Sequence, residues 1–217
     1  MEKKNRKYMW LGLGLLAAFA LWTGAVCLVD VRAIGPEGSS VGFGAVNRFV
    51  HEFTGVHMTL YVLTDWLSLV PLAFVPGFGL LGLAQWIRRR DIRKVDRSIL
   101  ALGGFYVAVL AAFLFFEEVV INYRPVLIDG VLEASYPSST TMLVMCVMPA
   151  AVMQLRSRMK NRRRKAVISL GMTVFAAGMV LGRVVSGVHW FTDIVGGGLL
   201  SGGLVLLYRA AAGQEKI

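Results

Sequence analysis

The chain has 217 residues, 56% of them hydrophobic, with a mean hydropathy of +0.64; an ordinary soluble domain is roughly 45–50% apolar. The apolar residues stand in long blocks, which excludes a soluble globular domain and predicts a polytopic membrane protein. A net charge of +10 invites a nucleic-acid reading, but the basic residues cluster between the apolar blocks, which favours a topology signal instead.

The first block, 9–29, follows Met1-Glu-Lys-Lys-Asn-Arg-Lys7. That start resembles the n-region of a signal peptide, but the block is too long for an h-region. Thr23-Gly-Ala-Val-Cys27 is also a poor cleavage site, so we read an uncleaved anchor. The loop from Asp30 to Val56 carries a turn signal at Gly35-Pro-Glu-Gly38. Ala45 to Phe53 then reads as an amphipathic stretch along the interface, with His51 and His57 as packing histidines. The second block, 60–86, contains Pro71 and Pro76, which predict kinks. The third, 98–120, ends at Glu117 and Glu118 and leads into Asn122-Tyr-Arg124-Pro125. Tyr136-Pro-Ser-Ser-Thr-Thr141 opens the fourth, 138–155, and Pro137 followed by hydroxyl residues is a helix-start signal. The fifth, 166–185, holds Arg183 near its end. His189 stands before the sixth, 190–208, which carries Asp193 and the small faces Gly196-Gly-Gly198 and Gly202-Gly203, suited to close helix packing. Cys27 and Cys146 both fall inside apolar blocks and read as small packing side chains, not a disulfide.

Six spans sort the charges. Lys3, Lys4, Arg6 and Lys7 precede the first span. Arg88, Arg89, Arg90, Arg93, Lys94 and Arg97 lie between the second and third. Arg156, Arg158, Lys160, Arg162, Arg163, Arg164 and Lys165 lie between the fourth and fifth, and Arg209 and Lys216 follow the sixth. Of the 23 Lys and Arg residues, only Arg32, Arg48, Arg124 and Arg183 fall on the other side. The positive-inside rule then puts both termini in the cytoplasm.

The outward exceptions are where chemistry is expected. His189 and Asp193 are four apart, so a helix starting there puts both on one face, with the carboxylate holding the imidazole in one tautomer. Ionisable groups at the edge of a span are costly and point to function. A helix N-terminus at Ser138, Ser139 and Thr140 offers free N–H groups to an anion. Together with Arg124 and Arg183 this suits a phosphate-like dianion. His189 would attack phosphorus to give a phosphohistidine, Asp193 would orient it, and the arginines would stabilise the transferring oxygens.

These segments resemble the type 2 phosphatidic acid phosphatase family, which shares its core with bacterial acid phosphatases and vanadium haloperoxidases. The family carries K-x6-RP, then PSGH, then SR-x5-H-x3-D. Arg183, His189 and Asp193 match the third motif, with Gly182 in place of its Ser. The first keeps Arg124-Pro125 but has Glu117 where Lys is expected. The second keeps Pro137-Ser138 but reads Ser139-Thr140 for Gly-His. The resemblance implies an all-α, six-span bundle with the family core over 55–208, after a cytoplasmic N-terminus (1–8) and a first span with its outward loop (9–54), and before a cytoplasmic tail (209–217).

What the resemblance implies chemically is an outward-facing lipid-phosphate or polyprenyl-diphosphate phosphohydrolase of a bacterial-type plasma membrane. Catalytic residues would be His189, Asp193 and Arg183; Arg124, Ser138, Ser139 and Thr140 would bind phosphate. No metal or cofactor is expected, and the expected partners are the lipid substrate and membrane lipids. The family's motif-two His protonates the leaving oxygen, which Thr140 cannot do near neutral pH. A diphosphate, whose leaving group is phosphate, needs that proton less. Glu117 or Glu118, with a pKa raised near the span end, would be the substitute donor; alternatively Glu117 would pair with Arg124 and position it. A lipid-phosphate-binding scaffold without catalysis is the other function this pattern allows.

Overall fold

A computed structural model describes residues 3–213; Lys216, counted among the inner basic residues, lies outside them. The elements are α1 (Lys3–Leu28), a two-stranded ribbon of β1 (Arg32–Ala33) and β2 (Ser40–Val41), α2 (Gly44–Thr54), α3 (Met58–Leu67), α4 (Leu69–Arg89), α5 (Arg97–Glu118), α6 (Ser139–Arg158), α7 (Arg162–Val185) and α8 (Phe191–Ala212). Six helical segments are long and apolar enough to cross a membrane, with α3 and α4 counted as one. The chain is an all-α, multi-pass membrane bundle.

The boundaries differ from the hydropathy blocks for identifiable reasons. The first helix begins at Lys3, six residues before the apolar block, and Arg209 of α8 stacks over the Tyr8 ring at 4.1 Å. The second block is divided at Ser68. Pro71, three residues on, has no N–H to give to that turn, whereas Pro76 lies within α4. At about 1.5 Å per residue α4 alone reaches about 30 Å, the thickness of the hydrocarbon layer, so α3 is left to build the end of the bundle. The amphipathic segment expected at 45–53 is α2, with Phe49 and Phe53 exposed.

Helix α6 is the most enclosed span, packed against α4, α5, α7 and α8, and α1 lies along α8. Gly12 and Gly203 allow that approach: a Cβ on Gly203 would stand 2.7 Å from Leu16, and one on Gly12 3.0 Å from the Gly203 carbonyl. Loops between α5 and α6 and between α7 and α8 meet at one end of the bundle. There Trp22 of α1 donates to the Thr192 carbonyl at 3.2 Å, and Asn47 of α2 accepts the Thr192 N–H at 3.2 Å and donates to its hydroxyl at 2.9 Å. The first turn of α8 is thus held from two sides. Cys27 is exposed, Cys146 is buried, and both are free thiols.

Candidate active site

The site is assembled from four segments at that end. His189 lies in the turn between α7 and α8, not in the helix as its spacing to Asp193 suggested: α8 begins at Phe191. The local cause is Asp193, whose carboxylate folds back to accept the Trp190 N–H at 2.9 Å and so starts the helix there. Buried His189 Nδ1 is 3.8 Å from Asp193 Oδ2, beyond hydrogen-bonding range. Ser135 stands between them. Its hydroxyl donates to Asp193 Oδ2, while its carbonyl and hydroxyl oxygens lie 3.2 and 3.3 Å from His189 Nδ1. Asn122 donates to the other carboxylate oxygen at 3.1 Å. The Asp193 carboxylate therefore has three donors, and it reaches the imidazole through Ser135.

On the opposite edge of the ring, Arg124 Nη1 is 3.2 Å from His189 Nε2. A guanidinium only donates, so Nε2 carries the lone pair and Nδ1 the proton. Burial, reinforced by the neighbouring arginines, pushes the imidazole down to about 4 against the opposing pull of Asp193. His189 is neutral at pH 7, and its Nε2 lone pair faces the Arg124 guanidinium.

Arg183 is fully buried. One terminal nitrogen donates to the Thr140 hydroxyl and, at 3.0 Å, to Asp65 of α3. Its Nε and Nη1 are buried and have no partner among the described residues. Buried donors are normally satisfied, so these N–H groups are available to an acceptor that enters from outside. The Tyr61 ring lies 4.8 Å from the Arg183 guanidinium and 5.7 Å from that of Arg124, its π-face moderating their repulsion. Arg124 Nε pairs with Glu133 at 2.9 Å.

The other expected site residues fall as follows. Ser138 is the N-cap of α6, accepting the Thr141 N–H at 3.4 Å, and its own N–H donates to the Asp193 carbonyl at 3.1 Å. Thr140 is spent on Arg183. Ser139, Glu117 and His189 line one narrow cavity with Ser135, Phe116 and Met142. Glu117 and Glu118 are both exposed. The expected pairing of Glu117 with Arg124 is corrected, because Glu133, on the segment that pairs with Arg124's own backbone, takes that place. Ser135, Asn122, Tyr61, Asp65 and Glu133 were not singled out from the sequence.

The sequence model of the PAP2 superfamily matches residues 73–216. The chain belongs to the PAP2 superfamily. No curated protein matches it. Among solved structures, it is similar to the first transmembrane PAP2-type phosphatidylglycerolphosphate phosphatase from Bacillus subtilis, with a TM-score of 0.60 at 18% identity, covering 92% of this chain and 93% of that one. At that identity the likeness speaks for the fold. The PAP2 match begins after Tyr61 and Asp65, so the α3 side of the Arg183 pocket lies outside it.

Proposed function

We propose that this PAP2 protein is an extracytoplasmic lipid-phosphate or polyprenyl-diphosphate phosphohydrolase that works through a phosphohistidine. The observation that carries the reading is the pair of buried Arg183 nitrogens without a partner among the described residues, at the end of the bundle where Arg124 lies against a neutral His189. A phosphoryl group there receives N–H donors from Arg183 and Arg124. His189 Nε2, released from Arg124 Nη1, attacks phosphorus, the P–O bond to the leaving group breaks, and the proton stays on Nδ1, hydrogen-bonded to the Ser135 carbonyl, as the ring becomes cationic. Asp193, two bonds away through Ser135, stabilises that charge. Water then hydrolyses the N–P bond.

The leaving group has no histidine to protonate it, since Thr140 stands there and is occupied by Arg183. This favours a diphosphate bond within the lipid-phosphate class. The same observation supports the second reading, a lipid-phosphate-binding scaffold, in which the phosphate seat persists without turnover. Phosphate release by the purified protein, with a polyprenyl diphosphate and phosphatidic acid as substrates and EDTA present, separates the two. Release abolished in His189→Ala, and faster on the diphosphate, is expected. No release above that variant, together with a gain in Glu117→Lys/Thr140→His, would replace the enzyme with the scaffold.

A further inference from the structure

At the end of the bundle away from His189, α4 and α5 leave an apolar groove of about 420 Å³ between them. Its α4 wall is one helical stripe, from Val75 through Gly79 and Gly82 to Trp86, and Gly103 and Tyr106 stand on the α5 side. The two helices come close at Gly82, where a Cβ would stand 2.9 Å from the Ile99 side chain. Beside that point the groove stays open, since a Cβ on Gly79 or Gly103 would meet nothing within 4 Å. From Val75 to Trp86 the stripe rises about 16 Å, half of the roughly 30 Å hydrocarbon layer. The groove is therefore one leaflet deep. That depth suits the acyl chain of a phospholipid, whereas a helix from a second copy would cross the whole layer.

Ile92 and Val95 form the loop end of the groove. They belong to Arg88-Arg-Arg-Asp-Ile-Arg-Lys-Val-Asp-Arg97, in which six of ten residues are basic. Both acids of that segment are occupied. Asp91 accepts the Arg93 N–H at 2.9 Å. Asp96 accepts from Gln85 at 2.7 Å and pairs with Arg89 at 2.9 Å and Arg158 at 3.5 Å. Arg90, Arg93 and Lys94 are exposed and have no acid partner among the described residues. Arg90 continues the groove's own stripe, one turn beyond Trp86, and its N–H donates to the Trp86 carbonyl at 2.8 Å. Arg93 adjoins Ile92 at the groove's end. The positive-inside rule accounts for bases at this end of the bundle. It does not account for an apolar groove, one leaflet deep, that ends on them.

We propose that this groove binds an anionic phospholipid, with one acyl chain between α4 and α5 and the phosphate on Arg90, Arg93 and Lys94. The site is separate from the one at His189, and the proposal does not depend on the phosphohydrolase reading.

The groove carries its own reporter in Trp86, which is half exposed. The full chain is reconstituted in phosphatidylcholine bilayers and titrated with phosphatidylglycerol whose acyl chains are brominated, since bromine quenches a nearby indole. The same titration of Trp86→Phe is subtracted to isolate Trp86. Brominated phosphatidylglycerol is expected to quench Trp86 saturably, with about tenfold preference over brominated phosphatidylcholine. Arg90→Gln/Arg93→Gln/Lys94→Gln should abolish that preference. Gly79→Leu/Gly103→Leu, which fills the groove and leaves the basic segment intact, should abolish the saturable quenching. Equal quenching by the two brominated lipids in the native chain overturns the anionic site, and that comparison needs neither variant to fold. A preference that survives in Gly79→Leu/Gly103→Leu overturns the groove and leaves the lipid on the basic surface alone. Protection of Trp86 from both lipids also overturns the proposal and gives the groove to a second copy of the chain.

Discussion

His189 and Asp193 were readable because ionisable residues at a span edge, at helical spacing, stand out against an apolar background. The residue that joins them was not. Ser135 lies 54 positions from His189 along the chain, and nothing in Glu-Ala-Ser-Tyr distinguishes it from a loop serine. Asp65 and Glu133 were invisible for the same reason, since an acid near a span gives no sign of which arginine it will meet. Burial of His189 has a thermodynamic consequence at this scale. Its folded value of about 4 lies below its ordinary 6.5, so between those values the unfolded chain takes up a proton that the folded chain refuses. Stability from this group is complete above about pH 6.5, falls as pH drops toward 4, and the loss totals on the order of 3 kcal/mol. Melting midpoints of the wild type and His189→Gln, followed across that interval, should diverge in slope, the wild type falling more steeply toward acid. Parallel slopes would mean that the imidazole is hydrated.

At the scale of elements, the six apolar blocks gave six spans because crossing a hydrocarbon layer imposes a length that hydropathy reads directly. What the blocks could not give was how the two loops at the site end sit on α8. That contact depends on Gly196, where a Cβ would stand 2.6 Å from the Tyr136 ring. Tyr136 in turn anchors to Thr23 of α1 at 2.7 Å. A side chain at position 196 must push away the segment that holds Ser135 on Asp193 and that starts α6 at Ser138. Gly198, one turn-face away, meets only the Met145 side chain, at 3.8 Å. Gly196→Leu should therefore cost about 1–3 kcal/mol of stability and lower turnover or ligand affinity by about tenfold or more through misplacement. Gly198→Leu should do neither. Thermal melting and phosphate release measured on the two variants together check this, and equal effects would show that Tyr136 yields without moving Ser135.

For the whole molecule, we propose an orientation from the charge distribution: six spans would put the start of α1 and the end of α8 on one side, and the positive-inside rule would make that side the cytoplasm. Clusters at 88–97 and 156–165 flank one set of ends of α4, α5, α6 and α7, and the site loops lie at the other end of the bundle. Reversing the bundle would carry both clusters across the bilayer, against the asymmetry that orients membrane proteins, and would also turn the acidic site end toward the cytoplasm. The orientation is testable without reference to activity. Val131, at the tip of the loop between α5 and α6, and Arg163, at the start of α7, are both exposed. In a background of Cys27→Ser/Cys146→Ser, a membrane-impermeant maleimide added to intact cells should label Val131→Cys and leave Arg163→Cys unmodified until the membrane is opened. The opposite pattern would put the site on the cytoplasmic leaflet. Its lipid would then be presented from inside, and the basic clusters would owe their placement to something other than topology.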